Sequence, residues 1–144
     1  MVEIDPKRSA QMSRIRSANT RPELLVRKAL HAKGFRFRLH RRDLPGKPDI
    51  VLPRYRAVVF VHGCFWHQHP RCRLASWPKS RTEYWGPKLG RNVERDVLAA
   101  RQLQELGWRP IVVWECDTRS PERLAVRIEA LVLEIIGVAH GGEI

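Results

Sequence analysis

Between Val58 and Cys72 the chain reads Val-Val-Phe-Val-His-Gly-Cys-Phe-Trp-His-Gln-His-Pro-Arg-Cys. Ala57 to His62 is continuously apolar up to its final histidine, the pattern of a short strand buried on both faces. Three histidines, two cysteines and two adjacent aromatics follow or end that run. A chain with this order must fold so that the end of a core strand opens onto a site. Upstream, Pro45-Gly46-Lys47-Pro48-Asp49 leads into Ile50-Val51-Leu52, a second apolar strand with a carboxylate at its mouth. Pro53-Arg54-Tyr55-Arg56 is a short, turn-forming connection, so the two strands are expected to pair antiparallel and bring Asp49 and His62 to one edge.

The flanking segments supply helices. Thr20-Arg21-Pro22-Glu23 matches a capping box with proline in the first turn, and Leu25, Val26, Ala29 and Leu30 give an apolar face before Gly34, which predicts a helix over 21–33. Phe35-Arg36-Phe37-Arg38-Leu39-His40 alternates as a half-buried strand should, with Arg36 and Arg38 outward along a possible phosphate track. Residues 63–91 carry Gly, Pro, Cys, His and aromatics with no period and are expected to form a long functional loop. Asn92 to Leu106 reads as a helix capped by Asn92, with Val93, Val97, Ala100 and Leu103 or Gln104 on its buried face. Ile111-Val112-Val113-Trp114 is a fourth strand ending at Glu115-Cys116, and Ser120-Pro121-Glu122 opens a last helix with Leu124, Ile128, Leu131 and Ile135 inward. The expected class is α/β, a mixed central sheet flanked by helices in the order α-β-β-β-α-β-α. We expect a basic arm over 1–19, one domain over 20–138 and a tail over 139–144.

Charge narrows the partner. The 144 residues carry a formal net charge of +12 and an isoelectric point near 10.8. Residues 1–56 hold 15 Lys or Arg against 5 Asp or Glu. So uneven a basic surface points to a polyanion, and nucleic acid comes first because phosphate contacts dominate non-specific affinity through counterion release. No signal-like segment and no run of about 20 apolar residues is present, which predicts a cytoplasmic protein without membrane contact. Three cysteines make an odd count for a disulfide framework and leave thiolate ligands or buried thiols.

Cys64, Cys72 and Cys116 with a histidine make a Cys3His set of the kind that holds structural zinc, and the spacing alone leaves either His67 or His69 as the fourth ligand. Asp49 with His62, joined by Glu23 from the first helix and Asp96 from the second, suits phosphodiester hydrolysis: a carboxylate can hold Mg2+ while a histidine moves a proton at neutral pH. A non-catalytic, zinc-stabilised DNA-binding module and a restriction-type enzyme cutting paired DNA are the competing readings.

Met12-Ser13-Arg14-Ile15-Arg16, Thr20-Arg21-Pro22-Glu23, Gly34 to His40, Asp43 to Val51, His62-Gly63-Cys64-Phe65-Trp66-His67, Arg95-Asp96 and Val113-Trp114-Glu115-Cys116 together resemble the very-short-patch mismatch repair endonucleases over about residues 10–117. The resemblance implies a restriction-endonuclease-like core and a strand-specific nick 5′ of the thymine in a T:G mismatch, the product of 5-methylcytosine deamination. It makes Asp49 and the main-chain carbonyl of Val61 the Mg2+ ligands. His62 and His67 would act on the attacking water, the scissile phosphate or water on the metal, with Asp96 orienting His67 and Glu23 contributing from its helix. The second acid and the lysine usual in restriction enzymes are replaced here by Val61-His62-Gly63. The resemblance assigns the structural zinc to Cys64, His69, Cys72 and Cys116, although His69-Pro70-Arg71-Cys72 is one residue longer than the family's H-x-C form. Phe65, Trp66 and Trp85 would wedge into the duplex at the mismatch, a step that costs least where a base pair is already weak. Met12 and Ile15 would enter from the other groove, and Arg14, Arg16, Arg36, Arg38 and Lys47 would contact phosphates. A functional link to a cytosine methyltransferase and mismatch-repair proteins, action as a monomer and association with the nucleoid complete the expectation.

Overall fold

The computed structural model describes residues 19–78 and 80–137; Met12, Arg14, Ile15 and Arg16 of the arm and the tail at 139–144 lie outside the described residues. Helix α1 spans Arg21–Ala32 and starts as its sequence requires: the Thr20 side chain accepts from the Glu23 N–H at 3.3 Å and Pro22 sits in the first turn. Strands β1 (Arg38–Leu39), β2 (Ile50–Leu52) and β3 (Ala57–His62) follow, then helix α2 (Thr82–Glu105), strand β4 (Arg109–Trp114) and helix α3 (Pro121–Ile136). The sheet order is β1-β2-β3-β4, with the first two pairings antiparallel and β3–β4 parallel.

β2 and the first four residues of β3 are buried throughout because both faces are covered. On one face Ile50, Leu52, Val59, Ile111 and Val113 pack against Val26 and Leu30 of α1 and Ile128, Leu131 and Ile135 of α3. On the other, Val51, Val58 and Phe60 meet Leu44, Trp108 and Leu103 of α2. Burial of this kind is the main favourable term in folding. Gly46 makes the close approach possible: its φ is +74°, and a Cβ there would stand 2.7 Å from Cβ of Ala99 on α2. That contact seats the Pro45–Asp49 turn against the helix and so aims Asp49.

Two expectations are corrected. Burial alternates over Phe35 to Leu39, yet the ladder extends only over Arg38–Leu39, because β2 offers three residues and His40 turns out of the strand at φ 49°. The larger correction is α2, which begins at Thr82, ten residues before Asn92. Gly86, Pro87 and Gly90 read as loop: Pro87 has no N–H to donate to the Glu83 carbonyl, and each glycine costs helix stability of about 1 kcal/mol. Trp85 and Leu89, one turn apart and both buried, offset that cost through packing. The buried stripe is therefore Trp85, Leu89, Ala99 and Leu103, while Val93 and Val97 of the expected face are 38% and 58% exposed. Asn92 and Asp96 occupy the same stripe at helical spacing, and their polarity breaks the hydrophobic period. Asn92 caps nothing; its side-chain N–H donates to the Trp66 carbonyl at 3.1 Å and ties the preceding loop to the helix.

Candidate active site and metal centre

The pairing Ile50↔Val59 sets Asp49 beside the last residues of β3, where the Val61 N–H donates to Asp49 Oδ2 at 2.7 Å. His62 ends β3, almost wholly buried, and its ring lies flat on that of His67 with centroids 3.8 Å apart and planes 5° apart. His67 Nδ1 stands 2.6 Å from Asp96 Oδ2 on α2. An ionised carboxylate only accepts, so Nδ1 carries the proton and Nε2 is left to exchange one with a substrate. The other oxygen of Asp96 is 3.9 Å from His62 Nε2, and His62 Nδ1 has no hydrogen-bond partner among the described residues.

Burial sets the charges here. Desolvation raises the Asp49 carboxyl to about 6, helped by Glu23 and opposed by the Val61 N–H, His40 and His67. Burial also lowers His62 to about 4, with His67 adding to the effect and Asp96 opposing it, so His62 is neutral at pH 7. A cleft of about 750 Å³ opens onto Asp49, Val61, His62, His67 and Asp96, with Arg42, Lys47 and Arg95 on its walls. Arg36 and Arg38 stand exposed near and on β1, outside that lining.

Glu23 reaches the same region from α1 with 1% of its surface exposed. It accepts from the Asn19 N–H at 3.2 Å and from Arg27 at 3.4 Å, and it lies 2.6 Å from His40 Nε2. Ligating atoms of Glu23, His40 and Asp49 all fall within 4.8 Å of one another, as do those of His62, His67 and Asp96. His40 was not singled out from the sequence, since alternation alone makes it an outward strand residue; its left-handed backbone brings it over the site.

The second centre begins one residue beyond Gly63. The His69 N–H donates to the Cys64 carbonyl at 3.0 Å, curling the loop so that His69 Nδ1 comes 3.7 Å from Cys64 Sγ and 3.5 Å from Cys116 Sγ. Cys72 joins them, all four ligating atoms lying within 4.8 Å of one another. A sulfur about 2.3 Å and a nitrogen about 2.0 Å from one tetrahedral ion stand about 3.5 Å apart, so the spacing fits a single metal ion. Between His69 and Cys72 the backbone turns at Arg71, whose φ is 59°. His67 is engaged with Asp96, away from the sulfurs. Burial pushes the Cys64 and Cys116 thiols up; Cys72 also feels burial, but the N–H groups of Leu74 and Ala75 and the neighbouring thiols bring it down. Crowded sulfurs pulled in opposite directions need a cation to ionise together. The Cys64 N–H donates to Glu115 Oε1 at 3.1 Å, linking the loop to the turn that carries Cys116, and His69 stacks on Trp114 at 4.1 Å.

Phe65, Trp66 and Trp85 lie together. Phe65 meets Trp66 and Trp85 edge to face at 5.4 Å each, and Trp66 and Trp85 are buried with Leu89. Trp66, expected as part of the wedge on a loop over 63–91, is buried, because the first turns of α2 provide a surface that covers it. Phe65 keeps partial exposure.

The chain matches the family model described as DNA mismatch endonuclease Vsr over residues 3–73. It is 47% identical over 117 residues to the DNA mismatch endonuclease Vsr of Escherichia coli strain K12, covering 81% of this chain and 74% of that protein. The chain belongs to the Vsr family of DNA mismatch endonucleases. Two further relatives are the type II nicking enzymes V.XorIIP of Xanthomonas oryzae pv. oryzae, 50% identical over 126 residues (88% of this chain, 92% of the relative), and V.NmeAIP of Neisseria meningitidis, 46% identical over 129 residues (90% and 91%). The segment matched to the Vsr model contains Glu23, Asp49, His62, His67 and three of the four residues of the Cys/His group; Asp96 and Cys116 come from beyond it. Among the described residues no helix is long and apolar enough to cross a membrane.

Proposed function

We propose that this Vsr-family enzyme is a Mg2+-dependent nickase that cuts one strand 5′ of the thymine in T:G mismatches left by deamination of 5-methylcytosine. The observation that carries the proposal is the convergence of Asp49, His62, His67 and Asp96, from three parts of the chain, on one cleft at the end of the β2–β3 pair. Likeness to two type II nicking enzymes supports cutting of one strand. Asp49 and the Val61 carbonyl would hold Mg2+, which would supply charge neutralisation at the scissile phosphate. His67, its Nδ1 proton committed to Asp96, offers Nε2 to take the proton of the attacking water as the water oxygen bonds to phosphorus, and the P–O bond to the sugar breaks with the sugar oxygen leaving as a hydroxyl that takes its proton from solvent water. His62, neutral and stacked on His67, keeps that ring in place and can accept a hydrogen bond from the same water.

Zinc suits Cys64, His69, Cys72 and Cys116 because thiolate and imidazole are its usual ligands and the four ligating atoms lie within 4.8 Å of one another. That ion would anchor the loop whose Phe65, Trp66 and Trp85 form the wedge, with half-exposed Phe65 leading. Met12 and Ile15 are assigned to the opposite groove, and Arg14, Arg16, Arg36, Arg38 and Lys47 to phosphates. The reading includes a restriction-endonuclease-like core in one domain over 20–138 and a monomer in the cytoplasm near the nucleoid, working at sites of a cytosine methyltransferase alongside mismatch-repair proteins. End-labelled duplexes with T:G or C:G at one position, incubated with Mg2+, test it. One nick beside the thymine of T:G alone is expected; double-strand breaks on the C:G duplex, or no cleavage with any divalent metal, would overturn it.

A further inference from the structure

Among the cleft residues His40 has no role in the mechanism above, yet it touches the carboxylate of Glu23 and the main chain of Asp49. Its main-chain N–H donates to the Asp49 carbonyl at 3.0 Å, and its ring reaches across to Glu23, with Nε2 2.6 Å from Oε2. The backbone leaves β1 at this residue in the left-handed region, φ 49°, so the ring turns toward α1 and the cleft. Its side chain keeps 28% exposure while the carboxylate it meets keeps 2%.

The distance decides what the pair does. Two ligands at right angles on one Mg2+, each about 2.1 Å from the ion, stand about 3.0 Å apart. At 2.6 Å the His40–Glu23 contact is too short for a shared ion and has the length of a charge-assisted hydrogen bond. Because the carboxylate only accepts, His40 Nε2 carries the proton. Oε1 of Glu23 is meanwhile fixed by the Asn19 N–H. The remaining contact of Oε2, Arg27 at 3.4 Å, is longer and weaker. His40 is therefore the short contact that fixes the second oxygen of a buried acid beside Asp49.

We infer that His40 is a positioning residue of the catalytic cation site, clamping the Glu23 carboxylate in the orientation in which it and Asp49 together draw a hydrated divalent cation. The inference rests on the assignment of that cation to Asp49. Mg2+ keeps several waters and is bound through few carboxylates, so a second acid contributes through the waters only if its oxygens are aimed and held. Outer contacts of this kind typically alter metal affinity by about 10- to 100-fold.

The test uses His40→Ala and His40→Gln in the full-length, zinc-loaded protein. Mn2+ alone is titrated without DNA and free Mn2+ is followed by electron paramagnetic resonance. His40→Ala is expected to weaken Mn2+ binding by about 10-fold or more, while His40→Gln, whose amide N–H can reach the same oxygen, recovers most of it. The Mg2+ concentration for half-maximal nicking should rise in parallel, with melting temperature and metal-free DNA binding unchanged. Wild-type Mn2+ affinity in His40→Ala, or a glutamine variant no better than alanine, would overturn the assignment. A wild-type protein that binds Mn2+ but does not nick T:G would instead count against the proposed reaction and leave the role of His40 standing on the titration.

Discussion

The two halves of the segment from Ala57 to Arg81 are held in opposite ways. Up to His62 the chain is fixed by the sheet: β3 pairs with β2 on one side and β4 on the other, and Asp49 is pinned by a β3 N–H. Beyond His62 regular structure among the described residues up to Arg81 shrinks to one short 3-10 turn at Arg73–Ala75, and the loop is held by local turns, by Asn92 and Glu115, and by contacts within the Cys/His group. Labour is divided between the two halves. The proposed catalytic groups lean on the backbone of the sheet, whereas the aromatic loop is held by side chains that could share a metal ion.

The strongest way to break this division is to strike the sheet end alone. His67→Ala should lower single-turnover nicking of a T:G duplex by about 10²–10⁴-fold, with little change in melting, because the imidazole is partly exposed and its partners His62 and Asp96 are themselves site residues. A large fall in melting temperature would show that the site residues also hold the fold. Striking the loop should do the reverse. Cys116→Ser, or removal of zinc by a chelator, is expected to lower zinc content and melting temperature together and to open residues 63–81 to protease while far-ultraviolet circular dichroism keeps most of its helical signal. Unchanged zinc and unchanged melting would remove Cys116 from the centre.

A smaller effect sharpens the electrostatic side. Folding raises the Asp49 carboxyl to about 6 and so favours its neutral form. The stability tied to that form is complete below about pH 4 and is lost as pH rises through about 6. In metal-free buffer Asp49→Asn should therefore be the more stable protein above pH 6, by on the order of 2 kcal/mol, with the two curves converging near pH 4. Urea melts at pH 4, 5, 6 and 7 check this, and curves that stay parallel would show that the carboxyl is not raised. His62, lowered to about 4, works in the other direction: its contribution is present above about pH 6.5 and lost as pH falls through 4 in both proteins.

Most of the sheet side was legible in the sequence, because β2, β3, α1 and α3 each carry a local signal that agrees with their tertiary environment: Thr20 and Ser120 as caps, and continuous apolar runs between turn formers. The opening turns of α2 were not. Gly86, Pro87 and Gly90 oppose a helix locally, and the packing of Trp85 and Leu89 on Trp66 that overrides them is a long-range contact no short window contains. The same override hid the burial of Trp66 and shifted the apparent face of α2 to Val93 and Val97. At the site, Asp49 and His62 followed from strand pairing, whereas His40 escaped because its role depends on a single left-handed backbone angle.

Mismatch binding by Asp49→Ala tests the division most directly. Gel-shift titrations of T:G and C:G duplexes in EDTA, paired with nicking in Mg2+, should give the wild-type preference for T:G and no nick. An Asp49→Ala protein that nicks at the wild-type rate, or one that has lost its preference for T:G, would contradict it.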